Sequence, residues 1–211
     1  ARGPRSCGEL FVVEVELQGP SDTGMFLLVG LPDQAVAESR ERVRSAIRNS
    51  EMNYPSSRKI VCNLAPGDIR KEGPFLDLPI ACAVLAANNQ IPMEVFEETM
   101  IIGELGLDGK MRPINGAVSI ALMALEQGFK RLILPSQNAP EAAVAIGVEV
   151  YGVSSLLEAV ELLNGSPLIS PVAFDASPES RRPEYAVDCS DVKRQKHAAR
   201  ALEIAAAGGH N

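Results

Sequence analysis

The chain has 211 residues, 46% of them hydrophobic and 22% charged, which is enough apolar material for one full domain and too much for a disordered polymer. Twenty Lys and Arg against 27 Asp and Glu give a net charge of −7, which argues against nucleic-acid binding by bulk charge, because phosphate binding needs clustered cations. Six Phe, three Tyr and no Trp supply few rings for a base-stacking platform.

Residues 10–17 (LFVVEVEL) and 25–29 (MFLLV) read as strands separated by a Gly/Pro/Ser/Asp turn. Asp33 can cap a helix over 34–49, since its carboxylate accepts from orphan N–H groups of the first turn. That helix gathers Val36, Val43, Ala46 and Ile47 on one face and Glu38, Arg40, Glu41, Arg42, Arg44 and Arg48 on the other, and the charged face reads first as a solvated one. Residues 58–64 form a strand, followed by a Pro/Gly-rich loop, APGDIRKEGPF. A helix apolar all round runs over 77–89 with Asp77 as its expected cap, which marks a core helix. Residues 100–107 read as a strand that turns at Asp108-Gly109 into Met111 and Arg112. Asn115 is the expected cap of a helix ending at Gly128. A strand at 132–135, a helix at 137–146, a strand at 148–151 and a helix at 154–163 complete the periodic part. From Gly165 to Val187, prolines 167, 171, 178 and 183 punctuate a stretch poor in core residues, which reads as a linker. An Ala-rich helix over 191–207 follows it.

Several chemistries fail on residue type and spacing. A Walker A loop needs four residues between its glycines and then Lys-Ser/Thr. Here Gly103 stands too far before Gly109, and Lys110 is followed by Met111. His197 lies in the polar register of the last helix and His210 is close to the terminal Asn211, so neither suits a Ser-His-Asp triad. Glu72/Asp77 and Glu104/Asp108 are candidate carboxylate pairs, although caps and turns account for Asp77 and Asp108. Cysteines 7, 62, 82 and 189 form no C-x-x-C pair, so no zinc site is expected, and Cys62 and Cys82 read as buried reduced thiols. There is no secretory signal and no apolar run long enough to span a bilayer, which together with thiol usage leads us to expect a cytoplasmic protein. Residue 1 is Ala and the first methionine is Met25, so the chain is expected to be a fragment.

The informative segments are NLAPGDIRKEGPFLDLPIA (63–81) and IGELGLDGKMRPINGA (102–117). They resemble the proteolytic domain of Lon-type proteases, whose K-D-G-P-S-A-G turn carries the nucleophilic Ser and whose later P-I-G-G-x-K segment carries the Lys base. This chain has Lys71-Glu72-Gly73-Pro74 and then Phe75 at the Ser position. It has Pro113-Ile114-Asn115-Gly116-Ala117 and then Val118 at the Lys position. A phenyl ring has no lone pair to attack a carbonyl, and valine takes no proton. The catalytic set implied by the resemblance is therefore missing.

A closer resemblance, to the N-terminal part of the Mg-chelatase-like AAA+ ATPases of the ComM/YifB family, covers nearly the whole chain. It is carried by VGLPDQAVAESRERVRSAIRNS (29–50), the two segments above, GFKRLILPSQNAPEAA (128–143) and VEVYGVSSLLEAVELLNG (148–165). The tail DVKRQKHAARALEIAAAGGHN (191–211) resembles the opening of that family's ATPase module, with Arg194 where the family has Gly. The resemblance implies an α+β fold of the Lon-protease-domain (ribosomal-protein domain 2-like) type, built from βαβ layers over 8–165. It further implies a linker over 166–187 and a truncated AAA+ module over 188–211. It implies ATP and Mg2+ as cofactors of the parent and none for this fragment, with Val192 and Gln195 on the adenine side. The implied parent is a homo-hexamer that contacts its own AAA+ module and acts on DNA in branch migration during natural transformation. The 30–42 and 70–77 segments, with Asp33, Glu38, Arg42, Lys71, Glu72 and Asp77, are the expected interaction surface. A Lon-like serine peptidase and a magnesium chelatase ATPase subunit are the alternative readings.

Overall fold

Most of the apolar residues in the strands alternate, and the alternation divides between the two faces of one sheet. A computed structural model describes residues 2–4, 10–20, 24–71 and 73–174. The strands are β1 (Arg2–Pro4), β2 (Leu10–Pro20), β3 (Phe26–Val29), β4 (Arg58–Ala65), β5 (Thr99–Ile101), β6 (Glu104–Leu105), β7 (Met111–Arg112), β8 (Arg131–Pro135) and β9 (Glu149–Val153). The helices are α1 (Gln34–Asn49), α2 (Asp77–Ala87), α3 (Ala117–Glu126), α4 (Ala139–Ala142) and α5 (Leu156–Leu163). Seven strands form one sheet in the order β3-β4-β2-β1-β5-β8-β9, and β6 and β7 make a separate hairpin. β2 runs antiparallel to both its neighbours, while the β3–β4, β1–β5, β5–β8 and β8–β9 pairs are parallel. Helices between successive strands make this a mixed α/β architecture.

One face of the sheet presents Phe11, Val13, Ile60, Cys62, Leu64, Ile101, Ile133 and Val153, packed with the buried residues of α1, α2 and α5. The opposite face presents Met100, Ile102, Leu132, Leu134 and Val150 to α3 and α4. These last two helices cover only the β5-β8-β9 end. Across β2, β4 and β3 the same face stays open among the described residues, with Glu14, Glu16, Leu27 and Val29 exposed. Cys62 and Cys82 are free thiols in the core, and burial pushes both up to about 12. No helix among the described residues is long and apolar enough to cross a membrane.

The expected strand at 100–107 is broken in two. The Gly103 N–H donates to the Phe75 carbonyl at 2.9 Å, and the Gly103 carbonyl accepts from Leu78 N–H at 3.0 Å. Both backbone groups are thereby diverted from the ladder. The expected helix at 137–146 shrinks to α4, because turn bonds from Ala145 to Ala142 and from Val148 to Ala145 bring the chain round to β9. Of the segment expected as a linker, residues up to 174 are described, and Val172 N–H donates to Val150 O at 2.8 Å along β9. Cys7, Cys189, Arg194, His197, His210 and the expected helix at 191–207 lie outside the described residues.

Candidate functional site

The β3–α1 turn and the 70–77 loop meet, as two of the resemblance-bearing segments. Gly30 adopts φ +102, a conformation glycine takes readily. Asp33 then caps α1 as expected, its Oδ1 accepting from Val36 N–H at 2.7 Å. Its Oδ2 accepts from Gly73 N–H at 3.1 Å. Asp33 N–H donates to Lys71 O at 2.9 Å, and Lys71 N–H donates to Leu31 O at 3.1 Å. One carboxylate thus starts a helix and ties down the loop that leads into α2.

Beneath this junction sits a buried ion pair. Asp77 is fully buried, and its Oδ2 accepts from Arg42 Nε at 2.7 Å. Arg42 Nη2 reaches Asp77 Oδ1 at 3.1 Å, Ser39 Oγ at 3.0 Å and Ala35 O at 2.8 Å. Ser39 Oγ donates to Asp77 Oδ1, and Leu105 N–H donates to Asp77 Oδ2 at 3.2 Å. Asp77 therefore joins α1, α2 and β6 through a single side chain. Burial pushes the Asp77 carboxyl above the usual carboxylate range, while Arg42, Ser39 and Leu105 N–H pull against that shift. The hydrogen bond to Asp77 raises the Arg42 guanidinium above its ordinary value.

These positions correct several expectations. Asp77 is no cap: Leu76 holds the N-cap position of α2 without a side-chain bond, and the Asp77 carboxylate turns inward to Arg42. Neither Asp77 nor Lys71 can present its charge to a partner, since both are fully buried. Lys71 Nζ donates to the Pro66 and Ile69 carbonyls and lies 5.3 Å from the centre of the Phe11 ring. Arg42 belongs to the ion pair more than to a solvated face, with its side chain 18% exposed. Glu38 is exposed and lies 3.8 Å from Arg42, as the i,i+4 spacing suggests. Asp33 is half-buried. Asn115 does not cap α3; Gly116, at φ +79, holds that position. Glu72, Val192 and Gln195 lie outside the described residues.

Phe75 precedes α2 in a short 3-10 turn, Pro74–Leu76, and packs between the cores on the two faces of the sheet. Val118 is exposed on the first turn of α3. Glu104 and Asp108, weighed as a carboxylate pair, each face a cation instead: Arg112 at 3.3 Å and Lys110 at 3.8 Å. Residue reasoning overlooked Ser39, whose signal was its place on the apolar face of α1. It also overlooked Asn138, which is buried and bonds both backbone groups of Ile114 at 2.8 Å. The junction holds its hydroxyl, carboxylate and guanidinium in mutual bonds, so its evident work is to fix segments in place.

The family described as subunit ChlI of Mg-chelatase matches residues 13–138. Competence protein ComM of Haemophilus influenzae is 38% identical over 95% of this chain and 39% of its own length. YifB of Escherichia coli is 42% identical over 87% of this chain and 35% of its own length. Lon protease 2 of Bacillus subtilis is 26% identical over 84% of this chain and 34% of its own length. The chain thus spans less than two-fifths of the length of these relatives.

Proposed function

The chain belongs to the family of subunit ChlI of Mg-chelatase, and on that premise we propose that it is the N-terminal accessory part of a Mg-chelatase-like AAA+ ATPase of the ComM/YifB kind, without peptidase chemistry of its own. In this reading residues 8–165 form a Lon-protease-like domain, 166–187 a linker and 188–211 the opening of the ATPase module. The parent is a cytoplasmic homo-hexamer that moves DNA branch points, a role in keeping with the competence designation of its Haemophilus relative. ATP and Mg2+ belong to the parent's ring. This chain carries no Walker A loop, and no nucleotide step is assigned to the described residues.

The observation that carries the reading is an ordered family match with an altered chemistry. The segments that resemble the nucleophile turn and the base segment of Lon-type domains carry Phe75 and Val118 at the positions where the resemblance requires Ser and Lys. A fluorophosphonate serine-hydrolase probe is expected to leave the 211-residue chain unlabelled, and labelling would overturn the silent-domain reading. The full-length protein is expected to hydrolyse ATP faster with branched DNA and to move a four-way junction. ATP turnover indifferent to DNA, with the junction static, would overturn the motor.

A further inference from the structure

One flank of α1 carries Arg40, Arg44 and Arg48 in successive i,i+4 steps, about 6 Å apart along the axis. Arg40 and Arg48 are exposed and Arg44 is half-buried. Elsewhere among the described residues Arg42, Lys110, Arg112 and Lys130 each face a carboxylate, while Arg58, Lys59, Arg70 and Arg131 do not and do not share one helix flank. Among the described residues, none of the three flank arginines has a carboxylate within ion-pair distance. Glu41 stands on the same stretch of helix and remains outside that distance.

The three are held by other means. Arg40 Nε donates to Ala37 O at 3.1 Å. The guanidinium carbons of Arg44 and Arg48 lie 5.9 and 5.4 Å from the centre of the Tyr54 ring. Contact with the ring engages the guanidinium as a cation and leaves N–H donors for a planar or tetrahedral oxyanion. A row of like charges at this spacing opposes the helix that bears it, and an anion laid along the row removes the repulsion. The repeat suits a polymer of regularly spaced single charges better than an isolated ion. Tyr54 is only 7% exposed, so it offers no open platform for a base. Contact would be to the backbone and indifferent to sequence.

We propose that the Arg40-Arg44-Arg48 flank of α1 binds the phosphodiester backbone of nucleic acid, independent of base sequence. The choice of DNA as probe rests on the function proposed above, while the charge geometry does not. The test is fluorescence anisotropy of a labelled random-sequence duplex with the 211-residue chain, titrated between about 50 and 200 mM salt. Three phosphate contacts give an expected slope of log K on log salt of about −2.7. Arg40→Gln touches no ring and is expected to cut the slope by about 0.9. The triple Arg→Gln variant is expected to abolish binding, and the triple Arg→Lys variant to retain the slope. No binding by the native chain at the low-salt end, or a slope unchanged in both Gln variants, overturns the proposal. Polyglutamate competing as well as DNA at equal charge overturns it in favour of an acidic peptide. Junction movement by the full-length protein is read separately. A static junction with duplex binding intact sinks the motor and keeps this surface.

Discussion

A carboxylate removed from water raises the energy of its charged form, and Asp77 shows what the fold does about it. Its oxygens accept from Arg42, Ser39 and Leu105 N–H, and burial still holds its pKa above the ordinary range. A carboxyl raised in the native state contributes its full stability below the unfolded pKa, and that contribution is lost as pH rises through the native value. Removing Arg42 removes the strongest opposing influence, so the penalty deepens. Arg42→Ala is expected to lose about 3–5 kcal/mol at pH 7 in urea unfolding. The deficit should shrink as pH falls through the raised native pKa of Asp77, where the buried carboxyl takes up its proton. A deficit that does not vary with pH would mean that Arg42 acts by packing alone. Neither the burial nor the partner could be read from sequence, because Arg42 and Asp77 are 35 positions apart and an Asp before an apolar helix looks like a cap.

At the scale of elements, two glycines with positive φ separate conformational need from space. Gly116 begins α3 at φ +79 with nothing near the place of a Cβ. Gly30 has φ +102, and a Cβ there would meet Leu64 O at 2.2 Å. Gly116→Ala is expected to cost only the backbone strain, about 1–2 kcal/mol. Gly30→Ala should cost clearly more, because β3 must part from β4 to admit the methyl group. Equal shifts of the urea midpoint for the two variants would contradict this account. Helix α1 was legible end to end, since its apolar spacing and its cap are both local. The break at Gly103 was not, because its cause is a pair of hydrogen bonds to Phe75 and Leu78, more than twenty positions earlier in the chain.

The described residues form an unevenly covered sheet. Helices lie along one face, while on the other, among the described residues, α3 and α4 shield only the β5-β8-β9 end. The same substitution should therefore have opposite consequences at its two ends. Leu27→Lys, at a position 43% exposed, is expected to change stability by no more than about 0.5 kcal/mol. Leu132→Lys, fully buried under α3, places an unpaired ammonium in the core and should prevent stable folding. Thermal unfolding of the two variants decides the matter, and a large loss at Leu27 would show that the bare end is covered after all. This asymmetry also places Phe75 where the two cores meet, which gives its ring a packing role.

The amino-acid sequence by itself determined the family, the cap at Asp33 and the order of helices and strands from β2 onward, though not β1. These depend on near neighbours and residue identity, which a chain displays directly. Only the tertiary structure decided that Lys71 and Asp77 are interior, that Arg42 is committed to Asp77, and that Arg40, Arg44 and Arg48 stand without carboxylates among the described residues. Burial and pairing are set by what other segments bring to a side chain. For these residues the deciding groups come from the 66–71 loop, from α2 and from the loop that holds Tyr54.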